Sequence, residues 1–108
     1  MMMNSIQQET AQMAKDYELC TDPMTRFADL VSEVGELGKE LVKVSDYGKN
    51  AVTANEKISM EMGDVMFVFA LLANELGLDI SACFDMTRKK CQERFEANGH
   101  IGSEAANQ

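Results

Sequence analysis

The chain has 108 residues, which is enough for one domain with a single hydrophobic core. Its net charge of −8 argues against non-specific binding to nucleic acid polymers, because that binding needs a basic surface. The charge does not exclude a nucleotide, since a metal ion can bridge acidic side chains and phosphate.

The three cysteines, Cys20, Cys83 and Cys91, are an odd number, and none forms a CxxC pattern. We interpret them as reduced core residues, which predicts a cytoplasmic protein. The first five residues lack the charged and apolar regions of a secretory signal, so we expect none. The longest apolar run, residues 65–73, is too short to cross a bilayer, so we expect no membrane partner.

Helical patterns cover most of the chain, and no strand alternation or repeat is present, so the predicted fold class is all-α. Ser5 begins a capping-box pattern that opens helix 1, which we predict to run to about Leu19. The helical period then places Ile6, Met13 and Tyr17 on its inward face.

Helices 2 and 3 have clear local start and stop signals. Asp22 is a predicted N-cap with Pro23 at the first helical position, and helix 2 continues to about Val44. A second capping box at Thr53 is predicted to open helix 3, and Gly77 to close it. Between the helices lies a polar loop with turn chemistry.

Asp79 is a predicted cap for helix 4, which runs to about Ala97. Residues 1–97 are therefore expected to form a single domain, and residues 98–108 a flexible tail. Glu75 is predicted to be exposed near a helix end. The predicted inward stripe of helix 4 has six members: Ile80, Cys83, Phe84, Thr87, Cys91 and Phe95.

Two acidic pairs are the main chemical feature of the sequence. Glu33 and Glu36 lie on helix 2, and Glu61 and Asp64 on helix 3, each pair spaced i,i+3. That spacing puts both carboxylates of a pair on one helix face. Packed side by side, the two helices would bring four carboxylates together, which repel one another unless a cation holds them. Such oxygen ligands suit Mg2+ or Mn2+.

The non-functional alternative for each acidic pair is a solvated face of an amphipathic helix, which explains most single ExxE patterns. The combination favours a metal site, because helix 2 has few cations on that flank and helix 3 has almost no other charge nearby. On helix 4, Lys90 and Arg94 lie i,i+4 at the edge of the inward stripe. They either face the acidic cleft or extend over the core from the surface.

Helix 3 is apolar on all sides over residues 65–73, and a helix without a polar face is buried on every side. A four-helix monomer of this size cannot easily bury it. We therefore expect a homo-oligomer with the central helices at its interface.

The segment Glu33-Val-Gly-Glu36, followed by Glu61-Met-Gly-Asp64, resembles the ExxE…ExxD signature of the MazG-like nucleotide pyrophosphohydrolases, in the all-α NTP pyrophosphatase superfamily. The resemblance covers roughly residues 27–95. It implies a four-helix-bundle type of fold, assembled as a homodimer or homotetramer.

The resemblance also implies Mg2+-dependent hydrolysis of a nucleoside triphosphate to the monophosphate and pyrophosphate, in the service of house-cleaning of the nucleotide pool. The four acids would ligate Mg2+, or one of them would activate the water. Lys90 and Arg94 would bind phosphates, with Lys39 as a further candidate. The chain has no tryptophan to stack a base, and Cys91 stands near the place where some relatives have Asn.

Two alternatives stay open. The first is another specificity in the same superfamily, a dUTP/dCTP-type or phosphoribosyl-ATP pyrophosphatase. The second is a non-catalytic helical module that uses its acidic face to bind a basic partner. Di-iron bundles are excluded, because they need Glu-x-x-His on their helices and the only histidine, His100, lies in the tail.

Overall fold

The computed structural model describes residues 2–102, and the side chains of residues 5–102. Four helices make up this part of the chain: α1 (Met2–Asp16), α2 (Pro23–Val44), α3 (Glu56–Glu75) and α4 (Ile80–Asn98). No strand occurs among the described residues, which confirms the all-α fold class.

Local capping chemistry sets most of the helix boundaries. The side chain of Asp22 accepts a hydrogen bond from the Thr25 backbone N–H at 2.9 Å, with Pro23 at the first helical position, as predicted. The Thr25 hydroxyl donates a second bond to Asp22, and these bonds lower the pKa of that carboxyl. Asp79 caps α4 by accepting from the Ser81 N–H at 2.9 Å.

Glycines end α3 and α4. Gly77 follows the last residues of α3 with a φ of +70°, and Gly99 caps α4 with a φ of +76°. These left-handed values cost little at glycine because it has no Cβ. The predicted tail therefore starts with an ordered cap, and residues 103–108 lie outside the part of the chain that the structure describes.

Two predicted helix starts were wrong. Helix α1 begins at Met2 rather than Ser5 and ends at Asp16, because Glu18 adopts a left-handed φ of +55°. Helix α3 begins at Glu56, two residues after the predicted start, since Asn55 rather than Thr53 provides the cap. The Asn55 side chain accepts from the Ile58 N–H at 2.8 Å.

The helices pack as an extended arrangement. Helix α3 packs against α2 on one side and α1 on another, while α4 packs against α1. Ala70, Ala73 and Ile80 form a small buried cluster against which Ile6 packs. The chain bends by 98° between α3 and α4, and no single described helix is long and apolar enough to cross a membrane.

The buried face of α1 differs from the predicted one. Ile6 is partly buried as expected, but Met13 and Tyr17 are 38% and 65% exposed. Gln7 and Thr10 are buried instead. The difference arises because α1 is fixed by polar contacts to the α3–α4 turn, which rotate Gln7 rather than Met13 inward.

Gln7 makes those contacts. Its side-chain N–H groups donate to the Asn74 side chain at 2.9 Å and to the Leu78 carbonyl at 2.7 Å. Its side-chain oxygen accepts from the Ile80 N–H at 2.8 Å, and Asn74 donates back to the Gln7 carbonyl at 3.2 Å. One glutamine thus joins α1 to the end of α3 and the start of α4.

The predicted inward stripe of α4 is mostly exposed in the protomer. Ile80 is buried and Cys91 is half-buried, whereas Cys83, Phe84 and Phe95 are exposed. The exposure of this stripe follows from the 98° bend between α3 and α4, which directs the rest of α4 away from α2 and α3.

Candidate metal centre

Three of the four predicted acids meet where α2 packs against α3. One carboxylate oxygen from each of Glu33, Glu61 and Asp64 lies within 4.8 Å of the other two. The i,i+3 spacing of Glu61 and Asp64 supplies the α3 half of this group, here called the acid cluster. Glu61 is 7% exposed, and the other two are half-buried.

Glu36, the fourth predicted acid, is exposed on α2 one turn after Glu33 and lies outside the acid cluster. Its negative charge still acts on the cluster, since it is one of the charges that raise the pKa of Glu33. The position places Glu36 beside the cluster rather than within it.

The pKa of Glu33 is raised above its ordinary value. Desolvation by burial is the largest cause, because it disfavours the charged form. The negative charges of four neighbours follow in decreasing order: Asp64, Glu61, Glu36 and Asp29. Burial and neighbouring negative charge therefore both disfavour the ionised form of Glu33.

Several acids around the cluster have cation partners. The three pairs are Asp29 with Arg26 at 2.9 Å, Glu40 with Lys43 at 3.6 Å, and Glu61 with Lys57 at 3.5 Å. Within residues 5–102, Glu33, Glu36 and Asp64 have no ion pair or side-chain hydrogen bond. The remaining negative charge is concentrated at the centre of the α2–α3 interface.

This geometry fits a divalent cation. An octahedral Mg2+ with oxygens at about 2.0–2.1 Å holds those oxygens about 2.9–4.2 Å apart, according to whether they are adjacent or opposite. The observed limit of 4.8 Å is close enough for small rotamer changes to close the site. All three donors are carboxylates, the ligand type that Mg2+ and Mn2+ prefer.

The predicted phosphate-binding residues of α4 lie apart from the cluster in the protomer, because α4 packs mainly against α1. Lys90 is exposed, next to a surface depression of about 450 Å³ that Cys83, Met86 and Thr87 also line. Arg94 donates to the Ile101 carbonyl at 3.4 Å. Lys39 is exposed on α2, one turn after Glu36.

Sequence reasoning missed a buried ion pair at the same helix interface. Arg26 Nε donates to Glu75 Oε2 at 3.0 Å, and the side chains are 10% and 15% exposed. The prediction that Glu75 is exposed was therefore wrong, because the N-terminal turn of α2 covers the end of α3. The available signal was spacing: Arg26 precedes Glu33 by seven residues, two turns on the same helix face.

Comparison with known proteins gives a consistent result. The MazG nucleotide pyrophosphohydrolase domain matches residues 22–97, which include α2, α3 and nearly all of α4. "Uncharacterized protein YpjD" of Bacillus subtilis (strain 168) is 32% identical over 73 residues, which is 67% of this chain and 66% of that protein. The match thus spans slightly less than two thirds of that relative. No solved structure matches the chain.

Proposed function

The chain belongs to the MazG nucleotide pyrophosphohydrolase domain family, and on that premise we propose that it is a Mg2+-dependent nucleoside triphosphate pyrophosphohydrolase. Its reaction would be cleavage of a (d)NTP between the α- and β-phosphates, giving the (d)NMP and pyrophosphate. The acid cluster carries the proposal, because three carboxylate oxygens within 4.8 Å and a raised pKa at Glu33 are typical of a site that needs a cation.

In the proposed reaction, Glu33, Glu61 and Asp64 would hold the metal ion. When bound there, Mg2+ or Mn2+ would neutralise phosphate charge and make the attacking water more acidic. The chain's own residues must then position the nucleotide and accept a proton.

We assign the proton acceptor to Glu36. It lies one turn from Glu33 and is exposed, and its carboxylate is outside the group that would hold the metal. The water oxygen bonds to the α-phosphorus as the bond from that phosphorus to the bridging oxygen breaks. The water proton passes to Glu36 and pyrophosphate leaves.

Lys90 and Arg94, with Lys39, are the proposed phosphate-binding residues. Lys39 lies one turn beyond Glu36 on the same helix. The triphosphate of a nucleotide bound at the acid cluster would therefore extend to the Lys39 ammonium group. Lys90 and Arg94 lie on α4, which packs against α1 in the protomer. Their contribution to the site therefore requires association of subunits.

The oligomer we propose is a homodimer or homotetramer that covers exposed apolar surface. The Cα radius of gyration is 17.1 Å, above the roughly 13 Å expected for a compact domain of this length. No large described side chain is fully buried. Exposed apolar residues on α2 and α4 include Phe27, Val31, Val34, Phe84 and Phe95.

Sedimentation equilibrium tests this assembly. Phe84→Asp would place a charge in the interface and lower the observed mass, whereas Lys89→Asp, at an exposed position about 140° around α4 from Phe84, would leave it unchanged. A monomeric wild-type protein would refute the oligomer.

The proposed biological role is house-cleaning of the nucleotide pool in the cytoplasm. Cys20 and Cys83 are exposed and Cys91 is half-buried, so the prediction that all three are core residues was wrong. Exposed thiols without a disulfide are typical of a reducing compartment. The role itself rests on family analogy.

Pyrophosphate release from a panel of NTPs and dNTPs, measured with Mg2+ and with EDTA, tests the activity. Wild type would be compared with Glu36→Gln, for which we expect an approximately 100- to 10,000-fold lower kcat. Glu9→Gln, the same change at an exposed carboxylate on α1, is the matched control and should keep full activity.

The panel also decides between the alternatives. Selective turnover of dUTP, dCTP or phosphoribosyl-ATP would move the assignment to that specificity within the superfamily. Release of single phosphate would refute α–β cleavage. No turnover and no thermal shift with Mg2+ would refute the enzyme and favour an acidic module that binds a basic partner.

A further inference from the structure

Arg26 is a buried cation with three acceptors from three segments of the chain. It donates to Glu75 on α3 at 3.0 Å and to Asp29 on α2 at 2.9 Å. It also donates to the carbonyl oxygen of Leu19 in the α1–α2 connection. A planar guanidinium holds all three acceptors in fixed directions, which a lysine ammonium would not do.

This contact lies on the same helix interface as the acid cluster. Arg26 and Glu33 are seven residues apart on α2, about 10 Å along one face. Because the start of α2 meets the end of α3 at Arg26–Glu75, the two helices are antiparallel. The ion pair therefore fixes the axial position of α2 against α3 two turns from the point where Glu33 meets Glu61 and Asp64.

Arg26 also controls which carboxylates approach the cluster. Asp29 lies one turn before Glu33 and already contributes to the raised pKa of Glu33. The ion pair with Arg26 holds the Asp29 carboxylate toward the start of α2. Without Arg26, Asp29 would be a further uncompensated negative charge beside the metal ligands.

Burial alone does not explain why an arginine–glutamate ion pair occupies this position. A well-packed apolar pair is often as stable as a buried ion pair, since removing two charges from water is costly. Glu75 Oε1 is buried and has no partner among the described residues, so the pair is not optimised for stability. An ion pair differs from an apolar contact in its direction, which specifies one register.

We propose that Arg26 is a positioning residue: its ion pair with Glu75 sets the register of α2 against α3 in which Glu33, Glu61 and Asp64 form a divalent-cation site. This inference rests on the proposed metal centre. It extends that centre to two residues that touch neither the metal nor the substrate.

The test is the affinity of the full-length protein for Mn2+, measured from the electron paramagnetic resonance signal of the free ion. Compared with wild type, Arg26→Gln and Glu75→Gln should each bind Mn2+ about 10- to 100-fold more weakly, the range found when groups that orient metal ligands are lost. The double variant should bind no more weakly than Arg26→Gln alone, because Glu75→Gln removes an interaction that Arg26→Gln has already lost.

Two controls separate positioning from general loss of stability. Arg88→Gln removes an exposed ion pair with Asp85 on α4 and should leave Mn2+ affinity unchanged. Gln7→Leu breaks the buried contacts of α1 with the α3–α4 turn, so it should destabilise the fold yet keep wild-type affinity in the folded protein. Arg26→Lys, which keeps the charge, should be intermediate.

The outcomes are distinguishable. If wild type binds no Mn2+, both the metal centre and this inference are overturned. If wild type binds and both Arg26→Gln and Glu75→Gln bind equally well, the centre stands and the positioning role is refuted. If Arg26→Gln loses its helical circular dichroism, Arg26→Lys and Glu75→Gln decide in its place.

Discussion

The α2–α3 pair and helix α4 are held in the protomer by different means. Helices α2 and α3 pack along their length, with an acid cluster at the centre and the Arg26–Glu75 ion pair at one end. Helix α4 is attached near its first residue, where Ile80 is buried and its N–H donates to Gln7. Most of its remaining surface is exposed.

The difference separates the two charge types that the proposed reaction needs. The carboxylates that would hold a metal ion are assembled within one protomer. The cations Lys90 and Arg94 lie on a helix whose apolar stripe is mostly exposed among the described residues of the protomer. Metal binding should therefore depend on the α2–α3 interface alone, whereas turnover should also require α4 and its partners.

Asp64→Asn removes one of the three carboxylates of the acid cluster and should have the largest effect. We expect activity to fall on the order of 100-fold or more, because metal stabilisation of the transition state is worth several kcal/mol. The thermal shift produced by Mg2+ should disappear at the same time. Initial rates of pyrophosphate release and a melting curve with and without Mg2+ measure both effects.

The same variant should make the metal-free protein slightly more stable. Removing one of several like charges relieves repulsion worth about 0.2–0.5 kcal/mol per pair. Asp85→Asn, at an exposed position on α4, is the matched control and should change neither activity nor the Mg2+ shift. Full activity in Asp64→Asn would refute the assignment of Asp64 as a ligand.

Gln7→Leu tests the attachment of α4. The change leaves the Ile80 N–H and the Leu78 carbonyl without a partner near the core, and an unsatisfied buried group costs about 1–3 kcal/mol. Urea unfolding followed by circular dichroism measures the loss. Gln8→Leu, the same change at the exposed neighbour, should cost less than about 0.5 kcal/mol.

The Gln7 variant also tests whether metal binding and turnover depend on different helices. If metal binding depends on α2 and α3 alone, folded Gln7→Leu protein should keep its Mg2+ thermal shift while turnover falls. Loss of both in a folded protein would show that α1 and α4 support the acid cluster as well.

Local sequence signals predicted the parts of the fold that depend on neighbouring residues. The Asp22–Pro23 start of α2, the Gly77 end of α3 and the Asp79 cap of α4 each depend on residues close together in the sequence. The helical spacing of Glu61 and Asp64 likewise put both acids on one face, and the structure buries Glu61 there.

The sequence was less informative about contacts that depend on how helices rotate and slide against one another. Arg26 and Glu75 are 49 residues apart, and their pairing follows from the register of α2 and α3. Gln7 lies on the polar side of a helix whose apolar pattern favoured Met13 as the buried residue. Which of the four acids form the cluster also depends on this register, and Glu36 lies outside it.

The raised pKa of Glu33 predicts a pH dependence for the metal-free protein. A carboxyl whose pKa is higher in the folded state contributes stability that is present below its ordinary value of 4.5. That contribution is lost as the pH rises through the raised value. In EDTA, the melting temperature of wild type relative to Glu33→Gln should therefore fall as the pH increases above 4.5.

Saturating Mg2+ should reverse this trend, since the metal binds the ionised carboxylates and its affinity grows as they lose protons. Melting curves from pH 4 to pH 8, with EDTA and with Mg2+, give the comparison. A difference between wild type and Glu33→Gln that does not change with pH in EDTA would contradict the electrostatic description of the cluster.

The smallest expected effect concerns Lys57, the cation nearest the cluster. Its Nζ lies 3.5 Å from Glu61 Oε1, and the lysine side chain is 61% exposed. A metal ion must compete with this ammonium group for Glu61, but an exposed pair of this kind is worth only about 0.2–1 kcal/mol. Lys57→Met should therefore strengthen Mn2+ binding by at most about fivefold.

Lys49→Met, at an exposed lysine in the α2–α3 loop, should leave Mn2+ binding unchanged. Weaker binding in Lys57→Met would mean that the lysine holds Glu61 in its ligating position rather than competing with the metal for it.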